Sequence, residues 1–72
     1  MKETVHIHTE YIQLDQVLKL VGLIQTGGQI KPLLEEGQIT INGEVATAKR
    51  KKIYPGDVIH VEDVEITVLS EA

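Results

Sequence analysis

The sequence predicts an α+β fold in which one strand is followed by two short helices and then by several strands. Three observations carry that expectation. Apolar residues alternate with period 2 near the start and again after Gln38, a helical stripe runs from Leu14 to Val21, and Asn42-Gly43 separates two alternating stretches. Val5-His6-Ile7-His8 reads as the first strand, with Val5 and Ile7 inward and both histidines on the outer face. Leu14, Val17, Leu18 and Val21 stand at i, i+3, i+4 and i+7, one face of a helix, with Asp15 at the positive end of its dipole, Lys19 four residues on and on the same face as Asp15, and Gly22 as its stop. So short a helix is marginal alone and must pack against something.

The stretch from Thr26 to Glu44 organises the rest. Thr26 and Gln29 have the spacing of a capping box at the start of a second helix, Gly37 ends it, and Leu33 and Leu34 are its expected core positions. Pro32 conflicts with a start at Thr26, because its missing N–H and its ring would disturb the second turn. A start one or two residues later, or a loosened first turn, removes most of the conflict. From Gln38 the period becomes 2, with Ile39 and Ile41 inward, and Asn42-Gly43 is a strong hairpin signal that makes Glu44 to Ala46 the return strand. Tyr54-Pro55-Gly56-Asp57 is a turn, Val58 to Val61 a strand, and Val64, Ile66 and Val68 mark a last one.

The 72 residues form a single domain, 1–72, whose core motif spans about 11–61 with flanking strands at 4–8 and 64–69. With 42% hydrophobic residues but no Phe, Trp or Cys, the core must be built from Val, Ile and Leu without disulfide or thiolate-metal support. No signal peptide and no apolar run long enough to span a membrane is present, so the expected setting is cytoplasmic, without a membrane partner. The net charge of −4 argues at first against a polyanionic partner, but it is unevenly spread: residues 11–61 carry six basic and five acidic side chains, and the excess acid lies in the flanks.

Enzyme chemistry finds no support. Gly27-Gly28 with Lys31 lacks the spacing of a P-loop and follows a helix rather than a strand. There is no GxGxxG, HExxH or Gly-x-Ser-x-Gly motif, and Glu35-Glu36 and Glu62-Asp63 are adjacent pairs whose members point apart. No catalytic residue and no cofactor is expected. A zinc site on His6 and His8 would need a third protein ligand, and His60 is the only other histidine, so no metal site is expected either.

Nucleic-acid binding has more support. The start of the second helix offers free amides with Lys31 close by, and Lys19 could lie beside it if the helices form an antiparallel hairpin. Lys49, Arg50, Lys51 and Lys52 form the only basic run. Alone, such a run is equally a solvated loop, but its place after the Asn-Gly hairpin lets it return toward the helices. With only Tyr11 and Tyr54 as aromatics, stacking of successive bases is not available, so a folded nucleic acid read by shape and backbone is the expected ligand.

These residues also carry a family resemblance. LDQVLKLVGLIQTGGQIKPLLEEGQITINGEV followed by PGDVI resembles the S4 RNA-binding domain, in particular the small stand-alone proteins of the YaaA/YbcJ type, over roughly Tyr11 to Val61. The resemblance implies an αL motif, two short antiparallel helices on a small twisted, mainly antiparallel sheet, and binding of structured RNA, ribosomal or transfer RNA. Position by position it points to Lys19, Thr26, Lys31, Asn42, Gly43 and Lys49 to Lys52. Gln13 stands where many members have arginine, which removes a phosphate contact, and Pro32 where alanine is usual. A monomer is expected. The competing reading is a protein-interaction module whose acidic last strand, Glu62 to Leu69, is an exposed sheet edge.

Overall fold

The computed structural model describes residues 1–71. Seven strands, β1 (Lys2–Ile7), β2 (Ile12–Gln13), β3 (Ile39–Ile41), β4 (Glu44–Val45), β5 (Lys52–Ile53), β6 (Val58–Val61) and β7 (Val64–Ser70), accompany two helices, α1 (Leu14–Leu20) and α2 (Ile30–Glu35). A 3₁₀ turn, Gly27–Gln29, leads into α2. Five strands form one sheet in the order β1-β7-β6-β3-β4, and β2 and β5 form a separate two-stranded ribbon. Only β1 and β7 run parallel; the other pairs of the sheet are antiparallel.

The core is aliphatic, as the composition requires. Leu14, Val17, Leu18, Ile24 and Ile30 enter from the helical half, and Val5, Ile7, Ile39, Ile59, Ile66 and Val68 from the sheet. The period-2 readings of β1 and β7 hold, since Val5, Ile7, Val64, Ile66 and Val68 are all buried. Both helices end as their glycines predict. Leu23 N–H donates to the Leu18 carbonyl and Gly22 N–H to that of Lys19, and the same pair of bonds recurs from Gln38 to Leu33 and from Gly37 to Leu34.

Four expectations need correction. The buried residue of α2 is Ile30, fully enclosed, while Leu33 and Leu34 are half-buried against the core. The 3₁₀ turn delays the helix to Ile30, which rotates its inward face and also places Pro32 third in the helix, within the first turn, where its missing N–H breaks no bond. Asp15 does not share an outer face with Lys19; its carboxylate is turned inward and only 7% exposed. The basic stretch is not wholly a loop, since Lys52 and Ile53 pair with Gln13 and Ile12. Finally, β7 is not an edge. β1 runs along it from Lys2 opposite Glu65 to Ile7 opposite Ser70, and β6 covers its other side, so the ladder groups that a docking partner would need are already engaged.

Candidate nucleic-acid interface

Asn42 and Gly43 form the β3–β4 turn, both with left-handed backbone, φ +52° and +88°, the geometry of the tight hairpin that the dipeptide predicts. The Asn42 side chain does more than shape that turn. Its Nδ2 donates to Asp57 Oδ1 at 3.0 Å, and its Oδ1 accepts from the Val58 N–H at 3.0 Å. Asp57 Oδ2 in turn accepts from the Tyr54 N–H at 2.8 Å, and the Asn42 N–H donates to the Val58 carbonyl at 2.8 Å. The hairpin and the Pro55-Gly56-Asp57 turn are therefore one braced unit. Asn42→Ala should lower stability by about 1–2 kcal/mol, from the loss of two hydrogen bonds and an unfavourable backbone angle. Thermal unfolding followed by circular dichroism checks this, and Asn42→Gly should recover the backbone part alone.

The basic segment is held by its main chain. The carbonyls of Lys51 and Lys49 accept from the first two amides of α1, Leu14 at 2.9 Å and Asp15 at 3.0 Å, and the buried Ile53 anchors the ribbon with β2. These carbonyls stand in for a side-chain cap that Gln13 does not supply. The side chains of Lys49, Arg50, Lys51 and Lys52 are left exposed. Among the described residues the ion pairs are His8 with Glu71 and His60 with Glu65, and neither involves a lysine or arginine. Lys52 instead places its ammonium 4.9 Å from the Tyr11 ring centroid.

The start of the second helix meets the same end of α1. Gln29 Oε1 accepts from the amides of Gln25 and Thr26, the Gln29 half of the expected capping box. Asp15, whose N–H reaches Lys49, sends its carboxylate to within 3.9 Å of where a Cβ on Gly27 would stand. The first turn of α1 thus lies between the basic segment and the Thr26-Gly27 corner. Asp15 Oδ1 is buried with no hydrogen-bond partner. Lys31, second in α2, and Lys19, in the last turn of α1, are exposed, and Lys19 lies at the opposite end of its helix from the basic segment.

Between the hairpin and the basic segment lies a groove of about 390 Å³, lined among others by Asn42, Val45, Lys51, Lys52, Tyr54 and Asp57. The sequence signals each of its sides separately, through Asn-Gly, the basic run and Pro-Gly-Asp. Their meeting depends on contacts spanning fifteen residues.

The fold is thus a mixed sheet carrying two short helices, with a cationic segment pinned to the first of them and a braced hairpin across a groove from it. The chain belongs to the S4 domain family, whose model matches residues 5–69. It is 40% identical over 62 residues to the "Probable ribosome maturation protein RlbA" of Bacillus subtilis (strain 168), covering 86% of this chain and 87% of that protein. It is 33% identical over 60 residues to the "Putative RNA-binding protein YbcJ" of Escherichia coli (strain K12), covering 83% and 86%. The solution structure of YbcJ from E. coli, described as revealing an αL motif involved in RNA binding, superposes with a TM-score of 0.70 at 31% identity over 92% of this chain and 85% of that one.

Proposed function

We propose that this protein binds structured RNA, ribosomal or transfer RNA, without catalysing a reaction on it. The observation that carries the reading is the segment Lys49 to Lys52, four consecutive cationic residues on a backbone fixed by α1 and β2 and without an ion-pair partner among the described residues. Phosphate oxygens are the natural complement of such an array. Thr26 and Lys31 extend it past the first turn of α1, Gly43 lets the hairpin backbone approach the ligand closely, and Lys19 adds charge further along. Asn42 serves this face chiefly as the brace that sets the hairpin. The relatives named for RNA binding and ribosome maturation support the same reading and make ribosomal RNA the first ligand to try. The working form in this reading is a cytoplasmic monomer.

Binding to a ribosomal RNA fragment and to transfer RNA, followed by fluorescence anisotropy between 50 and 200 mM salt, tests the proposal. The log-log slope should have a magnitude of about 3 to 5, set by the number of phosphates neutralised. A salt-insensitive affinity would overturn recognition through phosphates.

A further inference from the structure

The groove beside the basic segment has features that a backbone-tracking surface does not need. Tyr54 lines it and is 43% exposed, and Val45, on the same lining, is 57% exposed. The Tyr54 ring is held by its neighbour: Tyr11 lies 6.0 Å away, centroid to centroid, at 48°. With Lys52 over the Tyr11 ring, the two aromatics and the cation form one packed cluster, so Tyr54 presents a surface whose orientation is already restricted.

The charges around the groove define what would fit. Lys51 and Lys52 supply cations from the ribbon side. Each oxygen of Asp57 accepts one bond, from Asn42 or from the Tyr54 N–H, and Glu44, on β4, adds a second carboxylate to the lining, so acceptors for a ligand stand on the hairpin side. An exposed aromatic side chain, apolar surface, cations and carboxylate acceptors together match a ligand with an aromatic ring, an anionic group and N–H donors. We infer that this groove takes one unpaired nucleotide of the bound RNA, its base against Tyr54 and Val45 and its phosphate at Lys51 and Lys52. The inference rests on the RNA reading above and adds to it a preference for a bulged or looped residue, because bases paired within a duplex keep their faces covered. With a single tyrosine on the lining, the site holds one base and not a run. A volume near 390 Å³ is at the small end of ligand clefts, in keeping with one nucleotide.

The test begins with adenosine 5′-monophosphate, ribose 5-phosphate and inorganic phosphate as separate probes, titrated into the isotopically labelled protein and followed by amide NMR shifts. Adenosine monophosphate should move Val45, Lys52 and Tyr54 well beyond the effect of ribose 5-phosphate, Tyr54→Leu should erase that excess, and Tyr54→Phe should keep it, with the β6 and β7 resonances unchanged in both variants. Equal responses to the two sugar phosphates, or an unchanged excess in Tyr54→Leu, would overturn the inference. A hairpin RNA with one bulged adenosine should then bind about tenfold more tightly than the same stem fully paired, a difference that Tyr54→Leu removes. Equal affinity for the two hairpins overturns the nucleotide site and leaves RNA binding standing. Failure of both to bind counts against the RNA reading, while the mononucleotide titration still decides the groove.

Discussion

Replacing Lys49, Arg50, Lys51 and Lys52 together by alanine is expected to weaken binding to structured RNA by about 100-fold near 0.1 M salt, and to flatten the salt slope by about 3. The reason lies in how the segment is built. What holds it in place is main chain: the carbonyls of Lys49 and Lys51 on the amides of α1, the ladder of β5 with β2, and the buried Ile53. Alanine keeps all of these and removes only exposed side chains. Beyond the charges themselves, the substitution takes away the Lys52 ammonium from above the Tyr11 ring, an interaction worth about 0.5–1 kcal/mol at an exposed site. The melting temperature should therefore fall by only a few degrees, so that a loss of affinity reports on charge and not on folding. Retention of the wild-type affinity and slope would remove this segment from the interface.

The complementary result is a large loss of stability with no change in surface charge. Ile59 lies on the central strand of the sheet, fully buried, with Ile66 opposite it on β7 and Ile41 on β3. Ile59→Ala should cost about 2–5 kcal/mol, the transfer of the deleted methyl groups plus a cavity that close neighbours on both sides cannot fill. For a domain of this size that is a fall of roughly 10 °C or more in melting temperature, because about 1 kcal/mol shifts the midpoint by 4–8 °C. Ile59→Val, which removes a single methyl, should cost about 0.5–1.5 kcal/mol. Chemical denaturation by urea checks both, and an alanine variant as stable as the wild type would show that the sheet can close over the gap.

These two variants also divide what the sequence makes legible from what it hides. Period-2 alternation disclosed β1, β3 and β7, the Tyr54 to Asp57 turn marked the start of β6, a single stripe disclosed α1, and Asn-Gly disclosed the β3–β4 hairpin, because each is set by residues close in sequence. The ribbon of β2 with β5 escaped, since two residues carry no period. So did the capping of α1, which is made by carbonyls that any residue possesses. The rank of Ile30 over Leu33 and Leu34 follows from the phase that the 3₁₀ turn imposes on α2, and the inward turn of Asp15, toward Gly27, involves a neighbour distant in sequence. Asn42 and Asp57 each read as local turn formers, and their bond to one another is a property of the folded chain. For the interface, the basic run was plain in the sequence, but its place at the first turn of α1 and the groove beside Tyr54 were not.

The parallel pairing of β1 with β7 joins residues more than sixty positions apart. Closing so long a loop costs entropy before any contact repays it, so this ladder should form late, after the antiparallel strands that connect through short turns. Until then β7 carries a bare edge behind an apolar face, and a nascent chain whose first strand is delayed or missing would offer that edge to other molecules. The first strand is thus a seal as much as a structural element, one that keeps a small aliphatic protein from joining its neighbours while it matures.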